Sequence, residues 1–408
     1  MKPYYTILIF LIFATSSKGQ SILKGSVLDS ATKLPIAGVN VFLSTTSLGT
    51  STDEKGNFSI SRVPQGKYEL ICTALNYATL VTQVQINQSE EKQTIYLASN
   101  ANVLKEVIVE SYDSDGWERW GDYFKENFIG KNTFLKNCYL KNPSVVKFKY
   151  NRRNNTVRAF AHENLQFENN NLGYTIDYLL INFEFNLNDN QFKFTGYPLF
   201  KEMTSTNADQ LEKWKTTRLD TYKGSLIYFI RSLFANQLQT DGYEIYPLIK
   251  VDDFEKKRVK QLYKNYLEAN KNKGQTNILQ KDSLDYYSKV SKLSGEENKV
   301  ILDKQVNRDE ILFKVDASIS KDAYFFEFDN SLHVSYIFKK EPYEYTKYMN
   351  KRPYKDNISS DISLPFNKGV TIFKNGSYYF GENIFLEGYW AWSEKLSTML
   401  PFNYDPKE

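Results

Sequence analysis

The sequence predicts a chain of mainly β and α+β class, with a small antiparallel β-sandwich near the N-terminus and a larger α+β domain behind it. Three observations carry this. Apolar residues recur with a period of two between Gly25 and Tyr77, turn-forming residues interrupt them every ~8–12 positions, and helical periods dominate from about residue 208. Val39, Val41 and Leu43 share one side of an extended segment, as do Phe58 with Ile60 and Tyr68 with Leu70 and Cys72. Asp29-Ser-Ala-Thr32 and Asp53-Glu-Lys-Gly56 separate these runs. Their side-chain oxygens can bond their own backbone, and Gly56 tolerates positive φ. Pro64 and Gly66 punctuate the next connection.

The α+β region begins after a polar run, Ser111 to Gly116. Trp117 to Ile129 has helical spacing. Val145–Tyr150 and Thr156–His162 flank Asn151-Arg-Arg-Asn-Asn155 as a hairpin, and Tyr174–Asn186 and Gln191–Tyr197 form a second. A helical segment is expected at about 208–294. Within it Leu226, Phe229, Ile230, Leu233, Phe234 and Leu238 lie on one helical face behind Ser225, a good N-cap. Val259, Leu262, Tyr263, Tyr266 and Leu267 repeat the pattern, and the polar residues 268–283 read as a mobile connection. Strands resume at Ala323–Phe328 and Leu332–Phe338, and Asn375-Gly376 marks a tight hairpin between Val370–Phe373 and Tyr378–Phe380.

Residues 1–20 read as a signal peptide. Lys2 precedes an apolar run from Ile7 to Ala14, and Ser17-Lys18-Gly19 offers small residues for cleavage. The run is shorter than the ~20 residues a membrane span needs, so no transmembrane span is expected in the mature chain. Export to the periplasm, association with the outer membrane, or secretion follows. The 408 residues carry a formal charge of +4, which the loss of Lys2 and Lys18 lowers by two. A balance this close to neutral excludes a general nucleic-acid-binding footprint. Cys72 and Cys138 could pair in an oxidising compartment, but Cys72 lies on the apolar face of a strand and Cys138 in the following domain. Two separately buried thiols are expected.

Several motifs in order carry a resemblance. Gly25-x-Val27-x-Asp29, Pro35-Ile36-x-Gly38-Val39-x-Val41, Thr52-x-x-x-Gly56-x-Phe58 and Val63-Pro64-x-Gly66-x-Tyr68 make residues 22–98 similar to the carboxypeptidase regulatory-like domain. The resemblance implies a transthyretin-like, seven-stranded β-sandwich that serves exported proteins as a non-catalytic accessory. It divides the chain into that module at 21–98, a linker at 99–116 and an α+β domain at 117–408. Leu104-Lys-Glu-Val-Ile-Val109 resembles the segment joining such modules to the plug of outer-membrane transporters. Asn142-Pro143, Asn170-x-Leu172-Gly173-Tyr174, Tyr222-x-Gly224-Ser225, Phe229-Ile-Arg231-Ser-Leu233 and Leu400-Pro401 resemble exported proteins that carry the same module and have no assigned activity.

The search for chemistry is mostly negative. A zinc carboxypeptidase needs a His-x-x-Glu pair and a further histidine. The chain has two histidines: His162 precedes Glu163 directly, and His333 lies in a predicted strand. No Gly-x-Ser-x-Gly elbow or phosphate-binding Gly-x-x-x-x-Gly-Lys loop occurs, and no catalytic residue, cofactor or metal is assigned. Two aromatic clusters, Tyr343 with Tyr345, Tyr348 and Tyr354, and Tyr389 to Trp392, either stack on sugar rings or pack as core. Trp390 and Trp392 are the candidate ligand-stacking residues. The expectation is a non-enzymatic cell-envelope protein whose β-sandwich docks or spaces an α+β binding domain, with another envelope protein or a glycan as partner. The alternatives are a hydrolase with a site assembled from dispersed residues and an accessory component of an outer-membrane uptake system. A membrane barrel is disfavoured, because spanning strands alternate apolar and polar residues and 208–293 is helical in pattern and highly charged.

Overall fold

A computed structural model describes residues 21–100, 112–131, 136–271, 281–315, 323–364, 368–379 and 381–407. The expected leader, the Leu104–Val109 segment and most of the 99–116 linker lie outside them. Seven strands build the N-terminal sandwich: β1 (Ser21–Asp29), β2 (Asn40–Leu43), β3 (Gly49–Ser51), β4 (Asn57–Val63), β5 (Gly66–Thr73), β6 (Leu80–Ile86) and β7 (Glu90–Leu97). They pair as two sheets, β4-β1-β7 and β3-β2-β5-β6. The alternation read from the sequence is the packing pattern, since Leu23, Val27, Val41, Phe58, Ile60, Tyr68 and Leu70 fill the space between the sheets. Turn chemistry also holds. The Asp29 carboxylate accepts the N–H groups of Ala31 and Thr32, and that of Asp53 accepts those of Lys55 and Asn57. Pairing is antiparallel except between β1 and β7, which run parallel over eight residues, Ile22–Asp29 on Glu90–Leu97. That pairing joins the two ends of the module.

Helix α1 (Gly116–Phe124) opens the second region and continues as one π-helical turn, Lys125–Ile129, in place of a uniform helix. It packs on a six-stranded sheet of β8 (Cys138–Leu140), β9 (Val146–Asn151), β10 (Thr156–Ala161), β11 (Leu165–Asn169), β12 (Tyr174–Asn186) and β13 (Phe192–Glu202). Both expected hairpins are present. The thirteen-residue β12 serves β11 and β10 along one edge and β13 along the other. Aromatic rings fill the layer beneath α1: Phe128 meets Tyr178 and Phe194 edge-on with centroids 4.9 Å apart.

The expected helical segment at 208–294 is corrected. Helices α2 (Ala208–Tyr222) and α3 (Leu226–Ala235) are followed by a strand, β14 (Tyr243–Lys250), before α4 (Asp253–Lys271) and α5 (Lys281–Lys292). Tyr243, Ile245 and Leu248 are buried there, and pairing with a distant strand stabilises the extended form. Asn207 and Ser225 cap α2 and α3, and the Ser225 hydroxyl accepts the Tyr228 N–H at 3.2 Å. Because α4 runs to Lys271 and α5 starts at Lys281, part of the connection read at 268–283 is helical and 272–280 lie outside the described residues. The remaining elements are β15 (Lys299–Ile301), α6 (Arg308–Ile311), β16 (Leu312–Lys314), β17 (Ala323–Phe326), β18 (Ser331–Lys340), α7 (Tyr343–Tyr348), β19 (Asn357–Ser363), β20 (Val370–Phe373), β21 (Tyr378–Tyr379), β22 (Phe385–Gly388) and α8 (Tyr389–Ser393). They form the sheets β15-β14-β18-β19-β22 and β16-β17-β20-β21, with α3 packed among them. Asn375-Gly376 turns the β20–β21 hairpin as expected.

The sandwich is fastened to this region by its own β2–β3 turn. Thr45 N–H donates to Pro198 O at 2.7 Å, and Phe200 N–H to Thr46 O at 2.9 Å. The C-terminal tail closes over the turn: Phe402 N–H donates to Thr45 O at 2.7 Å, and the Asn403 side chain bonds Ser47 twice, at 2.9 and 2.8 Å. Thr46 is fully buried. A second seam runs from Lys67, whose ammonium lies 5.0 Å from the Tyr379 ring centre. Cys72 and Cys138 are both buried and free, and burial pushes each thiol up to about 12.

Candidate functional site

Two polar constellations of the α+β region are the places where chemistry could occur. The first is a cavity of about 110 Å³ between the α2–α3 turn, the β18–α7 junction and α8. Gly224, Ser225, Tyr389 and Trp392 line it, with Asp220, Lys223, Lys339, Glu344 and Glu394 among its ionisable groups. The Lys339 ammonium is held 2.9 Å from Asp220. Glu394 follows α8 directly, and its Oε1 accepts the Leu226 N–H at 2.9 Å, so the carboxyl caps the first turn of α3. Burial raises this carboxyl to about 7, and the Leu226 bond opposes the rise without cancelling it. The next residue, Lys395, is 6% exposed, with its ammonium 3.8 Å from the centre of the Phe192 ring. Burial, with Lys131 nearby, lowers it to about 7. Two adjacent side chains are thus displaced toward neutrality from opposite directions.

The aromatic expectation divides. Trp390 is 2% exposed, its Nε1 donates to Gly224 O at 2.8 Å, and its ring packs 5.3 Å from Phe229. It is a core residue without an open face for a sugar, which corrects its assignment as a stacking residue. Trp392 lines the cavity, but it is 8% exposed and packs against Tyr389 and Tyr345. Its Nε1 has no hydrogen-bond partner among the described residues, and the same holds for Thr221 Oγ1. Tyr345 is buried, whereas Tyr343, Tyr348 and Tyr354 are exposed. The aromatic pairs seen in the sequence therefore belong to different environments.

The second constellation lies on the outer face of the sheet containing β18. His333 Nδ1 is 2.8 Å from Asp361 Oδ1, and Ser335 Oγ is 3.4 Å from His333 Nε2. Lys299 bridges Asp361 and Glu387 at 2.9 and 3.1 Å. The Asp361 carboxyl is half-buried, which raises it, yet His333 and Lys299 hold it below the ordinary aspartate value. The order Ser, His, Asp invites comparison with a nucleophilic triad, but two requirements fail. Ser335 and His333 sit two residues apart in the middle of a strand paired on both edges, so the local N–H groups lie in the sheet plane within its ladder and cannot form an oxyanion hole. Neither residue lines the cavity. The cluster is a self-satisfied polar network on a sheet face. Sequence reading placed His333 in a strand, and its period-two relation to Ser335 was visible there; Asp361, from another strand, carried no such signal. Glu394 was missed because nothing in Trp392-Ser-Glu-Lys395 marks the carboxyl as buried.

His162 is exposed at the end of β10, away from both constellations. Ser225 donates to Tyr222 O at 2.7 Å while capping α3, so its hydroxyl is committed. Among the described residues no group of three His, Cys, Asp or Glu side chains is placed to hold a metal ion.

The sandwich bears on the remaining question. Residues 23–109 match the CarboxypepD_reg-like domain family. The carboxypeptidase regulatory-like domain thus occupies the N-terminal part of the chain, in a transthyretin-like β-sandwich. A comparison with curated proteins finds no match. Among solved structures, the chain is similar to a cohesin–X-dockerin complex from Acetivibrio cellulolyticus at 24% identity, covering 20% of this chain and 58% of that one, with a TM-score of 0.18. It is also similar to the major pilin subunit of Bacillus cereus at 20% identity, covering 19% and 29%, with a TM-score of 0.16. A third likeness is to 5-hydroxyisourate hydrolase from Klebsiella pneumoniae at 21% identity, covering 19% and 90%, with a TM-score of 0.17. The chain spans little more than half the length of the first of these structures.

Proposed function

We propose that the chain is a non-enzymatic protein of the cell envelope, in which the carboxypeptidase regulatory-like domain braces an α+β binding domain. The observation that carries this is the Ser44–Leu48 turn, whose Ser44 and Thr46 are buried and which is clasped between β13 and the C-terminal tail. A flexible tether would leave the turn in solvent, whereas here Thr46 is sealed and its carbonyl is bonded across the seam. The accessory role expected of the domain is therefore read as positioning, with the binding surface on the region behind it. The signal-like leader supports export, to the periplasm, the outer membrane or the exterior, and the partner is another envelope protein or a glycan.

The cavity supports this reading over the hydrolase alternative. Glu394 has the proton affinity of a general acid–base group, yet the Ser225 hydroxyl that also lines the cavity is committed to capping, and the Ser335 cluster lies on another face. Fractionation followed by chemical cross-linking in intact envelopes tests the proposal. The protein is expected in the envelope fraction, cross-linked to a defined partner or retained on envelope glycan. Cytoplasmic recovery refutes it, as does ester or glycoside hydrolysis by the purified chain that Glu394→Gln or Ser335→Ala abolishes.

A further inference from the structure

We infer that the excursion between β18 and β19, residues 341–356, is a docking knob for an anionic lipid surface. Its base is closed firmly. Glu341 N–H donates to Asp356 O at 3.0 Å, Lys340 Nζ to Lys355 O at 3.2 Å, and Lys351 Nζ to the buried Glu341 carboxylate at 2.9 Å. Within the knob α7 turns Tyr345 and Thr346 inward, at 2% and 0% exposure, and leaves Tyr343 and Tyr348 outside. Tyr343, Tyr348, Met349 and Tyr354 are 50%, 57%, 43% and 62% exposed. Four large side chains with apolar bodies, three of them carrying a polar tip, thus crowd one short excursion. This is the residue type that settles at the boundary between headgroup and acyl chain.

On the exposed part of the excursion cations outnumber acids, with Lys347, Lys351, Arg352 and Lys355 against Asp356. Lys347, Arg352 and Lys355 are exposed, and Lys131 lies 5.4 Å from the centre of the Tyr348 ring. Of the acids in the excursion Glu341 is buried and paired, Glu344 is half-buried, and Asp356 is exposed. Cations interleaved with amphipathic rings complement a negatively charged interface that accepts both. Backbone conformation is the independent observation. Tyr354 holds φ at 55°, a left-handed conformation that a bulky residue occupies at a cost. The polar tips of the rings and the cations together match a headgroup layer, which commits the occupant to lipid.

The inference does not depend on the envelope reading for its test. The purified full chain is mixed with phosphatidylcholine vesicles with and without phosphatidylglycerol, and co-sedimentation is read at low and high salt. Binding is expected to the anionic vesicles and to weaken as salt screens the contact. The combined substitutions Lys347→Gln, Arg352→Gln and Lys355→Gln are expected to weaken partitioning roughly a hundredfold, at about a factor of five per cation. Tyr343→Ser with Tyr348→Ser and Tyr354→Ser is expected to remove the binding that survives high salt. All six positions are exposed, and circular dichroism checks that each variant keeps its fold. The inference is overturned by absence of binding to both vesicle types, by variants that bind like the parent, or by capture of a soluble anionic glycan without capture of vesicles.

Discussion

Arg231 is the side chain whose loss should most selectively open the joint between the sandwich and the rest of the molecule. It projects from α3, and its guanidinium donates to three backbone carbonyls: Asn375 at 2.9 Å, Phe402 at 3.0 Å and Tyr404 at 3.0 Å. It also donates to the Tyr222 hydroxyl at 3.2 Å. One cation thereby holds the β20–β21 hairpin and the C-terminal tail, and that tail bonds Thr45 of the sandwich through the Phe402 N–H. Each charge-assisted bond contributes about 1.5–3 kcal/mol net, and water reaches part of this half-buried site when the side chain is removed. Arg231→Met should therefore cost about 3–5 kcal/mol locally, well short of the sum of four full bonds. The assay is amide hydrogen exchange at Phe402 and Tyr404, where an opening free energy lowered by that amount raises exchange by roughly two to four powers of ten. Arg231→Lys keeps the charge but not the planar fork and should fall between the two. Exchange at Phe402 that rises less than tenfold, or that rises equally across all strands, would refute the claim that one residue ties these elements together.

Two further predictions follow from buried groups. The Glu394 carboxyl is raised in the folded protein from 4.5 to about 7, so the folded state holds a proton that the unfolded chain has already lost between those values. Its contribution is complete below the unfolded value and is lost as pH rises toward 7. Compared with the parent, Glu394→Gln should gain about 2–3 kcal/mol between pH 5 and pH 8 in denaturant titrations; a constant difference across that range sinks the assignment. Gly173 has φ +67°, and a Cβ there would stand 2.4 Å from the Trp214 ring, whose Nε1 donates to Asn170 O at 2.8 Å. Gly173→Ala should cost about 3 kcal/mol or more in thermal or chemical unfolding. Adding Trp214→Ala should make the pair less than additive.

How much was legible in the sequence differs from element to element. The turns at Asp29 and Asp53, the Ser225 cap, the Asn375-Gly376 hairpin and the alternation of Val41, Phe58 and Tyr68 were all readable, because each is decided within a few neighbouring residues. The motif Tyr222-x-Gly224-Ser225 and Arg231 was visible only as a resemblance, and its physical meaning is the joint just described. Strand β14 was hidden in a helical stretch, since its extended form depends on pairing with β18, some ninety positions away. Within the candidate site Trp390 and Trp392 looked alike, yet one is sealed in the core and the other lines a cavity.

By itself the sequence determined the period-two sandwich, its turns, the caps and the order of β-rich and helical stretches. Those follow from side-chain alternation and from hydrogen bonds made within a turn. The tertiary structure alone decided the parallel β1–β7 pairing, the clasp around Thr46, the burial that moves Glu394 and Lys395 toward neutrality, and the outward placement of Tyr343, Tyr348 and Tyr354. Each of these depends on which distant surfaces exclude water from a residue, and desolvation is a property of the assembled fold that local order in the chain does not encode.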